Sequence, residues 1–149
     1  MSEHKQRDPH SEDFGQVDQL LTDLWRAQFG GHHRGGFWPA VDSYRTENPA
    51  QLVVVVELPG IDPDQVQIVL HDRALIIVGE RIRPKTGGRR YHQMEIDHGP
   101  FQRRIRIHEQ VDAEAASASY ERGLLRIVLP IAKHPPGAIR VPIELRPKK

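Results

Sequence analysis

Gln51-Leu52-Val53-Val54-Val55-Val56-Glu57-Leu58, halted by Pro59-Gly60-Ile61-Asp62-Pro63, is the stretch from which the architecture is read. Side chains of an extended chain alternate between two faces, so Leu52, Val54, Val56 and Leu58 share one face and Val53, Val55 and Glu57 the other. Proline cannot donate a ladder hydrogen bond, so the strand ends at Pro59. The same pattern recurs downstream. Val66, Ile68 and Leu70 alternate with Gln65, Gln67 and Val69, and His71-Asp72-Arg73 makes a tight connection into Ala74–Arg81, which is rich in Leu75, Ile76, Ile77 and Val78. Phe101, Ile105 and Ile107 line an apolar face interrupted by Arg103. Ala116, Ala118 and Tyr120 form a shorter one, and Glu121-Arg122-Gly123 turns into a strand carrying Leu125, Ile127 and Leu129. Short strands with a turn every ~8–12 residues predict an all-β chain, an antiparallel β-sandwich of immunoglobulin-like type. A barrel of the OB kind shares this periodicity and stays open as an alternative.

Outside this region the texture changes, which divides the chain into an N-terminal arm (1–39), a β domain (40–131) and a C-terminal tail (132–149). Within the arm, Val17, Leu20, Leu21, Leu24, Trp25 and Phe29 trace a helical stripe. A helix of some three turns is marginal alone in water, so it needs another surface to settle on. Gly30-Gly31-His32-His33-Arg34-Gly35-Gly36 reads as a hinge. The tail is rich in proline and basic residues, with one alternating patch, Ile139-Arg140-Val141-Pro142-Ile143, that is either disordered or docked on a sheet edge.

Composition narrows the function classes. With 21 basic and 20 acidic residues the net charge is +1, so no global field draws the chain to nucleic acid or to a membrane. The absence of cysteine excludes a disulfide framework, a thiolate metal site and a Cys nucleophile. Met1 to Asp13 has no apolar core of the kind a secretory signal needs, and the longest apolar run, Leu52 to Val56, is far too short to span a bilayer. A cytoplasmic protein without stable membrane association is expected. No nucleophile elbow, phosphate-cradling glycine loop or His-Glu-x-x-His pattern occurs, so no enzyme, catalytic residue or cofactor is expected. His32 and His33 are adjacent and do not converge on one ion. His92, His98 and His108 lack ligand spacing, so no metal site is expected. Arg81, Arg83, Lys85, Arg89 and Arg90 read as a solvated connecting loop, with phosphate contact as the rival. Arg103, placed by period two on the apolar face, needs a compensating partner: an ion pair across a subunit contact, or a position at the sheet margin.

The order of motifs resembles the small heat-shock protein (α-crystallin domain) family in its bacterial form. Phe37-Trp38-Pro39-Ala40-Val41-Asp42-Ser43-Tyr44 is similar to the segment leading into that domain, and Val56-Glu57-Leu58-Pro59-Gly60-Ile61 to its strand-ending Leu-Pro-Gly element. Leu75-Ile76-Ile77-Val78-Gly79-Glu80-Arg81 is similar to its Leu-x-Ile-x-Gly-Glu-Arg strand. Gly99-Pro100-Phe101-Gln102-Arg103 matches Gly-x-Phe-x-Arg, and Ala118 through Gly123-Leu124-Leu125 matches Ala-x-x-x-x-Gly-Val-Leu. His108 and the pair Glu95-Ile96 depart from the usual pattern, the second removing a familiar neighbour of Arg103.

The resemblance implies a seven- or eight-stranded sandwich that dimerises by strand exchange. A strand within Arg89–Ile96 would pair with an edge near Val41–Arg45 of a partner, engaging Val41, Tyr44, Tyr91, Met94 and Arg103. It also implies that Val141 and Ile143, or in the alternative register Ile139 and Val141, anchor the tail in a groove of another dimer, lined by Val66, Ile68, Leu70, Ala116 and Ala118. The function implied is that of an ATP-independent holdase: an oligomer that binds partly unfolded proteins and passes them to ATP-driven refolding chaperones. Phe14, Leu20, Leu21, Leu24, Trp25, Phe29, Phe37 and Trp38 would then supply the client-binding surface. A p23-like co-chaperone and a nucleic-acid-binding β domain are the alternatives.

Overall fold

A computed structural model of the chain describes residues 17–29, 36–85, 87–132 and 139–143. Phe14 lies outside the described residues, as do the side chains of Phe29 and Ile139. The helix α1 spans Val17–Phe29, and eight strands follow: β1 (Val41–Thr46), β2 (Gln51–Glu57), β3 (Val66–His71), β4 (Ala74–Arg81), β5 (Gly99–Arg106), β6 (Ser117–Glu121), β7 (Leu124–Pro130) and β8 (Ile139–Arg140). They form two four-stranded antiparallel sheets, ordered β1-β2-β7-β6 and β5-β4-β3-β8. The two sheets stay separate, which decides for the sandwich over the barrel.

Local chemistry sets the turns. Asp72 (φ 45°) and Arg73 (φ 61°) both take left-handed conformations, and so do Arg122 (φ 52°) and Gly123 (φ 78°). Paired left-handed residues are the geometry that joins two twisted antiparallel strands through a two-residue loop. After β2, Gly60 turns at φ 73°. Asp62 then caps a short 3-10 turn (Pro63–Gln65), its carboxylate accepting from the Asp64 amide at 3.0 Å.

The alternating residues do become the core. Val54, Val56 and Leu58 meet Leu125, Ile127 and Leu129 from one sheet, with Val66, Ile68, Leu70, Leu75, Ile77 and Phe101 from the other. Two of the motifs are complementary shapes. Gly79 is the register partner of Phe101, and a Cβ at Gly79 would lie 2.6 Å from the Phe101 ring and 2.9 Å from the Gln65 carbonyl oxygen. The bare glycine is therefore the space in which the aromatic ring sits. Likewise the Gly123 turn abuts Pro59, its carbonyl accepting from the Leu58 amide at 2.7 Å, while the Tyr120 hydroxyl donates to the Leu58 carbonyl at 2.7 Å.

The second sheet carries an apolar patch at the centre of its outer face as well. Val69, Ala74, Ile76 and Val78 point away from the sandwich core and are covered by Val17, Leu21 and Trp25 of α1. This is the surface that the helical stripe needed. Asp18 in the first turn of α1 forms an ion pair with Arg104, which lies across the ladder from Ile76.

Gly79→Ala is expected to lower the unfolding free energy by about 1–3 kcal/mol, the usual cost of overpacking a closed core. Urea unfolding followed by far-UV circular dichroism checks this. An unchanged midpoint would mean that the Phe101 ring moves aside freely.

Candidate functional site

Edge strands and the segments that cover them make up the candidate site, because an unpaired edge invites another strand. On the second sheet β5 forms one edge, and the tail strand β8 covers β3 on the opposite side. Leu70 pairs with Ile139 and Val69 with Arg140, after which Val141 enters the core, 4% exposed. Pro142, with no amide hydrogen to offer, follows where the ladder stops. Ile143 and Ala116 pack partly buried against the core cluster that holds Val66, Ile68, Leu70 and Ala118. The groove beside this contact, about 490 Å³, is walled by Pro63, Val66, Ile68 and the tail, and also by Leu24 of α1. The arm and the tail thus meet at one groove. In the single chain the tail lies on its own β3, where the family resemblance placed it on a neighbouring dimer.

Among the described strands β1, β5 and β6 also end their sheets, and β1 is the edge that the resemblance assigns to pairing with a partner. Val41 packs against the core, while Asp42, Ser43, Tyr44 and Arg45 are exposed. Arg45 donates to Glu47 at 2.5 Å and also reaches Glu109, and this hydrogen bond holds the Glu47 carboxyl below its usual range. The long connection between β4 and β5 contains no strand among its described residues, so the expected strand in Arg89–Ile96 is not formed within the single chain. Strand geometry requires a ladder partner, and none of the described strands pairs with this segment. The segment instead leaves Ile82, Tyr91, Met94 and Ile96 between 47% and 67% exposed. Arg89 and then Arg83 hydrogen-bond to the Tyr91 hydroxyl and pull its titration below the usual phenol range, with the Arg83 guanidinium 5.5 Å from the ring centre.

Two arginines hold the segment before β1. Arg81 is not part of a solvated basic loop. It is buried at the end of β4, where Nε donates to the Asp97 carbonyl at 2.8 Å and Nη1 to the Pro59 carbonyl at 3.3 Å. Its guanidinium also lies 3.7 Å above the Phe37 ring centre, and that ring meets Phe101 edge-on at 5.6 Å. Arg103 donates to the Pro39 carbonyl at 2.5 Å and stacks 4.4 Å from the Trp38 ring centre. Both cations therefore clamp the segment Phe37–Pro39 onto the sandwich. The signal was present in sequence as aromatic residues just before β1, facing two motif arginines, but separations of more than forty residues hid the pairing.

The residues assigned to client binding differ in exposure. Leu21 and Trp25 are buried between α1 and the second sheet, Leu20 and Leu24 are half-buried, Phe37 is partly covered, and Trp38 is 48% exposed. Among the described residues no cluster of three His, Asp or Glu side chains is placed to hold a metal, and no helix is long and apolar enough to cross a membrane.

A sandwich whose β3 is covered by a short tail strand, while β1, β5 and β6 end their sheets, defines a class of β domain suited to pairing with further strands. Residues 44–144 match the model of the Hsp20/alpha crystallin family, and the chain belongs to that family. It is 34% identical over 89 residues to the 16.9 kDa class I heat shock protein 1 of Triticum aestivum, a match covering 58% of this chain and 59% of the wheat protein. The chain thus spans somewhat over half the length of that relative. The solved small heat-shock protein of Xylella fastidiosa is similar at a TM-score of 0.57 and 32% identity, over 72% of this chain and 99% of that one. Heat shock protein 16.0 of Schizosaccharomyces pombe reaches a TM-score of 0.59 at 28% identity, over 72% and 99% respectively.

Arg81→Met is expected to cost about 1.5–3 kcal/mol, since it removes the charged hydrogen bonds that a buried guanidinium makes to the Asp97 and Pro59 carbonyls. Arg83→Met, two residues along on the exposed loop, should stay within about 0.5 kcal/mol of wild type. Thermal and urea denaturation of the pair check this, and equal losses would show that the burial of Arg81 carries no special weight.

Proposed function

We propose that this protein is an ATP-independent chaperone that holds partly unfolded proteins in soluble form, and that it acts as an assembly of dimers, not as an enzyme. The observation that carries this reading is the seating of Val141 and Ile143 beside β3. A tail anchored by two aliphatic side chains, worth roughly 1.5–3 kcal/mol each when fully buried, is held firmly enough to populate the docked state and weakly enough to exchange. The same seat can receive the tail of another copy, which converts a self-covering chain into a linked assembly. Many arms on one assembly then raise avidity for clients that each arm binds weakly.

Family membership supports the chaperone role. The exposed Tyr91, Met94 and Ile96 and the open edge at β1 support pairing between two copies. The client surface in this reading is drawn from the arm, from Leu20 to Trp38, and the clients pass on to ATP-driven refolding chaperones in the cytoplasm. The docked tail argues against a p23-like co-chaperone, which normally lacks such a motif. Burial of Arg81 removes one member of the basic cluster that a nucleic-acid reading relied on.

The test combines assembly and activity. Wild type should suppress the heat-induced aggregation of an unrelated enzyme without ATP. Val141→Gly together with Ile143→Gly should shift light-scattering mass toward dimers. A wild type that leaves client aggregation unchanged would overturn the reading. A double variant of unaltered mass would confine the tail to its own chain.

A further inference from the structure

We propose that the outer face of the second sheet, formed by Val69, Ala74, Ile76 and Val78 with Arg104 at its margin, is a docking surface for amphipathic helices that carry an acidic residue in their first turn. Helix α1 is the occupant it takes when no client is offered. An antiparallel sheet of a sandwich ordinarily turns a polar face to water. Here the centre of the face is an apolar patch, flanked by Gln67, His71, Gln102 and Arg106, and its four side chains are buried beneath one helix. A surface of that composition requires a cover.

The chemistry of the occupant defines the partner. Val17, Leu21 and Trp25 follow one another at intervals of four, which places them on a single side of the helix. Asp18, in the first turn, meets Arg104 in an ion pair in which Arg104 is about one-quarter exposed and Asp18 about one-half. The contact therefore has a defined direction along the helix axis as well as an apolar body. It is also limited in extent: three fully covered side chains and one ion pair, on a helix of 13 residues. A helix this short gains little from its own backbone, so its seat depends on those contacts. When α1 leaves, its own apolar stripe and the sheet face beneath become accessible together. A partly unfolded protein offers segments of the same kind, and such a segment competes for the seat.

The identity of the ligand as a client rests on the holdase reading; the docking surface itself does not. The experiment uses the full chain with Trp38→Phe, which leaves Trp25 as the sole indole. Two variants, Asp18→Lys and Arg104→Glu, each break the pair, and the double variant restores it in reversed order. The readouts are the Trp25 emission maximum and the anisotropy of a fluorescein-labelled peptide of sequence 17–29, used as the probe. Each single variant is expected to red-shift Trp25, and Asp18→Lys is expected to bind the probe about two- to fivefold more tightly, the range for an exposed ion pair. The double variant should return the emission toward its starting value. Ile76→Ser should red-shift Trp25 and yet weaken probe binding, since the face itself is damaged. Emission that does not move in either single variant, or that fails to return in the double, overturns the proposal. Probe binding indifferent to Ile76→Ser overturns it as well. The two readings separate cleanly: a wild type that does not suppress client aggregation removes the holdase reading and leaves the optical results intact. Suppression alongside an unmoved Trp25 removes the docking surface alone.

Discussion

Strand β4 has no side that faces water, and the rest of the molecule is arranged around that constraint. Leu75 and Ile77 enter the sandwich core, while Ala74, Ile76 and Val78 lie beneath α1. A strand buried on both faces loses its apolar surface to water only if two layers stay in place, and here one layer is the opposing sheet and the other a short helix. The same strand also supplies Gly79, whose missing side chain seats Phe101, and Arg81, whose cation binds two carbonyls and roofs Phe37. Register along β4 therefore controls the core, the long loop and the lead-in to β1 at once.

The two coverings are unequal. Inside the sandwich many large aliphatic side chains interlock, and any one of them gains from the presence of the others. The helix and the tail instead contribute a few side chains each to the margins, and both approach the groove beside β3, where Leu24 stands near Val141 and Ile143. Elements with few buried contacts open at lower free energy than the core. A stable centre with two separable covers is the physical arrangement that a protein needs if it is to expose apolar surface without unfolding.

Much of this was legible in the sequence. The two-residue period placed Leu52 to Leu58, Val66 to Leu70 and Leu125 to Leu129 in strands, and the turn chemistry of Asp72-Arg73 and Arg122-Gly123 located the hairpins. The helical stripe from Val17 was legible as well, and Val141 with Ile143 stood out as the apolar pair of the tail. What stayed hidden was partnership across distance. Periodicity shows that Ile76 and Val78 are apolar, but not that a helix some fifty residues earlier covers them. It shows that Arg103 lies on an apolar face, but not that the Pro39 carbonyl and the Trp38 ring receive it. Arg81 was misread because a basic residue at the end of a strand resembles its solvated neighbours Arg83 and Arg89 until its backbone acceptors are known. The segment from Arg89 to Ile96 is not a strand in the single chain for a different reason: the ladder partner that the resemblance implies for it is the edge of another copy.

Native-state hydrogen exchange measured residue by residue on the full chain tests most directly whether β4 is the fixed centre and the helix and tail its removable covers. Amides of Leu75 to Val78 should exchange only through global unfolding, with a denaturant dependence equal to that of the whole protein. Amides of α1 and of Ile139 to Val141 should exchange through smaller openings at clearly lower free energy. If α1 and the tail are protected to the same global level as β4, or if β4 exchanges as readily as they do, the division between a permanent core and reversible covers is contradicted.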